Sequence, residues 1–313
     1  MIAYLLQRLL ATIPVMLFVA IFIFLMLRLT PGDPAVIIAG DYANDEQVAQ
    51  IREKLGLDKP MLQQFFIWMG NVLSGDFGES FYYKKTVSDL ILARLEPTLS
   101  LSLLTIILTI AIAIPLGVFA AYKQGSWIDR VIMGFSVLGF SIPVFVIGYA
   151  LIYVFSIELG ILPVQGYHKI GDGVGPWLQH LFLPSLTLAV IFVAFIARMT
   201  RTSVLEVLGE DYIRTARAKG QTEWLVVMRH ALGNAAVPII TVIGLSIAIL
   251  IGGVVVTESV YTIPGLGLLT VDAVLNRDYP TIQAVILLFS VTYVVINLLV
   301  DVSYTMLDPR IRY

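Results

Sequence analysis

The sequence predicts an all-α membrane protein with six transmembrane helices and an additional helical segment outside the membrane between the first and second. Three observations carry this. Hydrophobic residues make up 58% of the chain and charged residues only 13%, with a mean hydropathy of +0.89, beyond the range in which a soluble domain keeps enough polar surface to stay dispersed. Apolar runs that suit a hydrocarbon core of roughly 30 Å recur at residues 9–29, 99–121, 131–156, 180–199, 236–257 and 281–306. Basic residues segregate between the short connections. With the N-terminus inside, Arg8, Lys123, Arg130, Arg198, Arg201, Arg214, Arg217, Lys219, Arg229, Arg310 and Arg312 fall on one side, and the short loops opposite hold only Lys169 and Arg277. Both termini are therefore expected to be cytoplasmic.

The first element, within residues 1–29, has a basic residue, Arg8, ahead of its apolar run and so resembles a signal peptide. The run is as long as a full span, however, and no small-residue cleavage site follows it, so a retained helix is expected. Residues 30–97 form a long polar connection on the outer side. Within it Asn44 or Asp45 suits a helix N-cap and Gly56 the matching exit; Pro60 suits the first turn of a second helix and Gly75 its end. Leu62, Phe65, Phe66 and Met69 recur at helical spacing, an apolar stripe that needs burial against the bundle, the membrane interface or a partner. Residues 98–306 hold the other five spans, with a polar cytoplasmic region at 200–235, and 307–313 form a cytoplasmic tail. Pro115, Pro143 and Pro184 fall in or beside spans, where proline removes a backbone donor and can kink a helix.

Several classes of chemistry are excluded. With no Cys there is no disulfide framework, thiolate metal site or cysteine nucleophile. His168, His180 and His230 are too scattered for a metal motif, so no metal site is expected. The net charge of −2 and the lack of a clustered basic footprint argue against nucleic acid. No G-x-x-x-x-G-K-[ST] loop is present to cradle a triphosphate. The spans lack the convergent polar residues of a catalytic site, so the chain is not expected to be an enzyme.

The stretch "EDYIRTARAKGQTEW", Glu210 to Trp224, is the most informative. Glu210 or Asp211 favours a helix start, Ala216 and Ala218 support the helix, and Gly220 stops it. Arg214 pairs by spacing with Glu210 and Asp211. Tyr212, Ala216 and Gly220 share a face that is small after the Tyr, flanked by Arg214, Arg217 and Lys219. Such a helix suits a partner's groove; equally, a basic loop is what the positive-inside rule and anionic headgroups of membrane lipid would hold there. A second stretch, "GGVVVTESVYTIPGLGLL", ends the fifth span at Glu258 and turns at Pro264, Gly265 and Gly267. Glu258 either faces an aqueous path, where it can meet a substrate's ammonium group, or lies exposed at the outer interface. Ser141 and Pro143, in "FSIPVF", are the other candidates for lining a path.

The first of these stretches resembles the cytoplasmic loop of ABC-importer permeases, whose pattern is Glu-Ala-Ala, three residues, then Gly. Arg214, Thr215 and Ala216, three residues and Gly220 occupy those positions, and Leu232-Gly233 stands where a Leu-Pro usually follows. With "RHALGNAAVP", "LTPGDPA", "EKLGLDKP", "SGDFGES", "FSIPVF", "GGVVVTESVYTIPGLGLL", "RDYPTIQAVILL" and "NLLVDVSYTMLDPRIRY", the chain resembles the dipeptide, oligopeptide and nickel class over nearly its whole length. The resemblance implies a type I importer permease fold in a bacterial inner membrane. It implies a coupling helix at Asp211–Gly220 that rests in a cleft of an ATPase subunit, with Asp211, Arg214, Thr215, Ala216, Arg217, Gly220 and Glu223 as its contact set. Its implied partners are a second, homologous permease, two ATP-binding subunits that carry the ATP and Mg, and an extracytoplasmic binding protein. Di- or oligopeptides are the implied cargo, with nickel or glutathione as alternatives. A secondary transporter, the competing class, is expected to show intramembrane ionisable relays or broken helices in paired halves, neither of which is evident in the sequence.

Overall fold

The computed structural model describes residues 2–29, 35–36, 44–54 and 56–307. The string "LTPGDPA" falls mostly outside the described residues, and the tail 307–313 almost entirely so. The chain divides into two compact units, one of Met1–Leu6, Leu95–Leu268 and Tyr293–Tyr313, the other of Gln7–Arg94 and Leu269–Thr292. Regular structure among the described residues is helical. Its main elements are α1 (Ile2–Leu29), α2 (Asp45–Lys54), α3 (Met61–Leu73), α4 (Val87–Tyr122), α5 (Trp127–Ser141), α6 (Val144–Leu151), α7 (Val174–Leu208), α8 (Asp211–Ala218), α9 (Ala236–Tyr261), α10 (Leu266–Leu275) and α11 (Tyr279–Leu307).

Four helices among the described residues are long and apolar enough to cross a membrane: α4, α7, α9 and the stretch Tyr279–Ser303 of α11. The bent pair Trp127–Gly139 and Val144–Glu158 adds a fifth if it is one span, and Leu10–Met26 of α1 is a shorter apolar helix. The run 131–156, expected as one helix, is broken. The chain bends by 108° between its two arms, with Ile142 extended (φ −97°, ψ 125°) and Pro143 at the N-cap of α6. The cause is local: Pro143 has no N–H for the α5 ladder, and its ring drives the residue before it out of the helical region. Pro97, Pro115 and Pro184, by contrast, lie inside α4 and α7 without ending them.

In the larger unit α7 is central. Of its most apolar window 67% is buried, against 39% for α9. Leu181, Leu188 and Phe192 of α7 meet Leu101 of α4 and Leu250 and Val254 of α9 in one apolar cluster. Small residues set how close the helices come. A Cβ on Gly117 would stand 2.6 Å from the Ala197 carbonyl oxygen, and one on Gly139 would stand 2.9 Å from the Ala194 Cβ, so α4 and α5 press almost onto the α7 backbone.

In the smaller unit the expected caps are present. Asn44 and Gln47 exchange reciprocal side-chain to backbone hydrogen bonds at 2.8 and 3.1 Å, the capping-box pattern. Gly56 (φ +65°) and Gly75 (φ +84°) end α2 and α3 in the left-handed region. The stripe on α3 is divided: Met69, with Trp68 and Val72, packs on Ala20, Ile23 and Leu287, and Phe65 meets Phe24 edge-on at 5.2 Å, while Leu62 and Phe66 are exposed. Buried Asp278 accepts hydrogen bonds from the Ser80 hydroxyl (2.5 Å), the Phe81 N–H (3.0 Å) and the Thr281 hydroxyl (2.8 Å). That joins "SGDFGES" to "RDYP", a pairing no sequence spacing foretells. Beside it the Tyr83 hydroxyl donates to Asp272 at 2.9 Å; burial and this bond to a carboxylate raise the Tyr83 pKa.

Candidate functional site

The segment 209–235 is built as a short outrigger on the end of α7. Gly209 closes α7, Glu210 is extended (φ −72°, ψ 149°) at the N-cap of α8, Asp211 occupies its first turn and Arg217 its last. Both charges oppose the helix dipole favourably. Ile213 and Ala216, three residues apart and so on one face, are buried against Val207, Leu208 and Val226. Asp211, Tyr212, Arg214, Thr215, Arg217 and Lys219 are exposed. Of the expected small-residue stripe, Tyr212 and Gly220 are exposed but Ala216 is buried and seals α8 to its own chain, so the stripe is not a continuous outward face. Ile213 decides this, because the largest apolar side chain on the helix takes the interior and Ala216 goes with it.

The exit of α8 is tightly made. Gly220 has φ +78° with open space where a Cβ would be, and it and Gln221 donate backward to the carbonyls of Arg217 (2.9 Å) and Ala216 (3.4 Å), the ending that favours glycine. Arg217 then reaches across the turn to Glu223 in a two-pronged pair, Nε to Oε1 at 2.7 Å and Nη2 to Oε2 at 3.2 Å. Arg214 and Asp211 are 3.3 Å apart but almost wholly exposed, so solvent screens them. Burial and the nearby Glu210 carboxylate raise the pKa of Tyr212. The helical run 223–234 lays Trp224 edge-on to Tyr122 at 5.8 Å. Between these elements opens a cavity of about 380 Å³, lined by Tyr122, Gln124, Leu208, Arg217 and Glu223 among others.

The other candidates lie apart from this region in the sequence. Ser141 and Pro143 flank the α5–α6 break and are exposed; the Ser141 hydroxyl donates to the Val137 carbonyl at 3.1 Å. Glu258 is fully buried, so it is not the exposed interfacial carboxylate the sequence allowed. It accepts hydrogen bonds from the Thr98 hydroxyl at 2.6 Å and the Leu268 N–H at 3.0 Å, and Thr98 in turn accepts from the Leu266 N–H at 2.8 Å. The turn wraps so closely that a Cβ on Gly265 would collide with the carboxylate. The turn at Pro264, Gly265 and Gly267 is legible in the sequence, but that it folds back over Glu258, one turn before the end of α9, is not. Among the described residues, no cluster of three or more His, Cys, Asp or Glu side chains is placed to hold a metal ion.

Comparison with known proteins places this geometry in a family. Residues 113–313 match the binding-protein-dependent transport system inner membrane component, and residues 1–102 match the N-terminal region of the same kind of membrane component. A probable peptide ABC transporter permease protein of Sinorhizobium fredii is 56% identical over 310 residues, 99% of each chain. A putative peptide transport system permease protein of Brucella abortus and a glutathione transport system permease protein of Salmonella choleraesuis are each 46% identical over 313 residues, 100% of each chain. Among solved structures, the MetNI methionine ABC transporter in an inward-facing conformation aligns with a TM-score of 0.58 and 19% identity, covering 70% of this chain and 96% of that one. That likeness speaks for the fold.

Proposed function

The chain belongs to the family of inner membrane components of binding-protein-dependent transport systems, and from that premise we propose that it forms, with a second homologous permease, the path by which short peptides enter the cell. It is an ABC importer permease. In this reading six spans cross the inner membrane with both termini cytoplasmic, residues 30–97 lie outside and 200–235 inside. ATP and Mg are bound by two partner ATPase subunits and not by this chain, and an extracytoplasmic protein delivers the cargo. Closure of the ATPases drives alternating access through rigid-body motion of the helices. Ser141 and Pro143 are the candidates for a role along the path; Glu258, expected to face it, is instead enclosed by its own chain and acts in holding the 258–268 turn.

The observation that carries the reading is α8 itself. Ile213 and Ala216 clamp it to its own chain, while Asp211, Arg214, Thr215 and Arg217 stand outward, so a partner meets charge and hydrogen-bonding groups on a firmly held helix. Gly220 and Glu223 fix its exit. Short peptides are favoured as cargo because full-length relatives at 56% and 46% identity carry peptide-transport names; glutathione, a tripeptide, fits the equally similar relative named for it.

The test is copurification of a tagged chain from its native membrane, wild type against Gly220→Arg, where the open position gains a bulky charge. ATPase subunits are expected with the wild type and lost from the variant while the second permease stays. A wild type that brings no ATPase overturns the importer assignment. Uptake of a labelled dipeptide, competed by glutathione, then separates the two cargoes.

A further inference from the structure

The importer reading leaves open how motion of α8 reaches the broken helix α5–α6, and a partly buried ion pair supplies a connection. Arg201 lies near the end of α7, the helix that Gly209 joins to α8. Its guanidinium meets Asp129 with Nε to Oδ1 at 2.5 Å and Nη2 to Oδ2 at 2.8 Å. The Asp129 side chain is only 5% exposed and that of Arg201 23%. Asp129 stands in the first turn of α5, and the Gly125 N–H donates to its Oδ2 at 2.9 Å, so the carboxylate ties together the α4–α5 turn, α5 and α7. The other end of α5 is Ser141 and the Ile142–Pro143 break.

The chemistry of this joint differs from the packing around it. Apolar contacts such as Gly139 on Ala194 allow neighbouring helices to slide by small shears. A two-pronged guanidinium–carboxylate pair fixes direction as well as distance, and breaking it inside the protein strands a charge. The α5 helix is therefore pinned to α7 at its first turn by a directional pair, and held toward its broken end by apolar packing such as Gly139 on Ala194, which tolerates small shears.

We propose that Asp129 and Arg201 are positioning residues for transport: they convert displacement of the coupling helix α8, carried by α7, into rotation of α5 and so into movement at the Ile142–Pro143 break. The proposal rests on the importer reading, and its test separates the two. The whole complex is purified as wild type, Asp129→Asn and Asp129→Glu, and reconstituted in liposomes. ATPase retention, hydrolysis rate and peptide taken up per ATP are measured on each. The Asn variant is expected to keep its ATPase subunits and hydrolyse ATP at near wild-type rate, with uptake per ATP lowered about tenfold; Glu, which restores the charge, recovers most of it. Unchanged uptake per ATP in Asp129→Asn overturns the proposal while leaving the importer reading intact. A wild type without ATPase subunits removes both.

A variant that fails to assemble is met by a second measurement, made possible because the chain has no Cys of its own. In a chain carrying Asp129→Cys and Arg201→Cys, uptake per ATP is expected to be low and to recover when a short thiol-specific crosslinker bridges the two positions, with crosslinker-treated wild type as the control. Bridging that leaves uptake per ATP low shows the pair to be a packing element only and overturns the proposal.

Discussion

The turn around Glu258 and the outrigger α8 both set polar side chains beside a glycine-containing turn at a helix end, and they treat those side chains in opposite ways. At 258–268 the chain folds over its own carboxylate, leaving no room for a methyl group on Gly265 and aiming the Thr98 hydroxyl and the Leu268 N–H at it. At 211–223 the chain buries only Ile213 and Ala216 and leaves Asp211, Arg214 and Arg217 outside. A buried polar group must find its partners within the chain, because an unmet one costs more than the bond it forgoes. An exposed group has water as a partner and stays available to another subunit. Polar residues of the first kind report on stability and those of the second on assembly.

Substitutions sharpen that contrast, beginning with the most damaging. Glu258→Ala removes the acceptor for the buried Thr98 hydroxyl and the partly buried Leu268 N–H and is expected to cost about 2–4 kcal/mol, read as loss of a monodisperse folded chain in detergent. Gly265→Ala forces a methyl into the carboxylate and is expected to cost about 1–3 kcal/mol, read as a lower thermal midpoint with ATPase subunits still bound. Gly220→Arg imposes a left-handed conformation on a side-chain-bearing residue, about 1–2 kcal/mol, yet its main effect should be loss of the ATPases. Arg217→Ala breaks a half-exposed pair and should change stability by less than about 1 kcal/mol, while weakening ATPase retention on washing at raised salt. Arg214→Ala should leave the thermal midpoint unmoved and show only in that retention assay. A thermal midpoint that falls as far for Arg217→Ala as for Gly265→Ala would erase the distinction between the two regions.

Much of this was legible from single positions. Asn44, Gly56 and Gly75 fulfil the capping roles that their side chains, or lack of one, suggest, because a helix end is a local problem with local solutions. The bounds of α8 follow from Asp211 and Gly220 for the same reason. The break at Ile142 is half visible in the sequence: Pro143 marks a weak point, but the unbroken apolar run 131–156 reads as one span, and Pro115 and Pro184, equally placed, do not end their helices. A proline says where a helix is weak; the neighbours decide whether it bends. The pairs Asp129–Arg201, Thr98–Glu258 and Ser80–Asp278 join residues far apart in the chain and were invisible.

By itself the sequence determined that the chain is helical and membrane-grade, and where the short charged helix lies between two apolar runs. These depend on composition, period and end groups, each readable within a few turns of helix. Tertiary structure alone decided which face of α8 turns outward, that Glu258 is enclosed rather than exposed, and that Arg201 finds Asp129. Those outcomes depend on which distant surface claims a residue, and burial of one apolar side chain or one charge fixes the orientation of everything on the same helix.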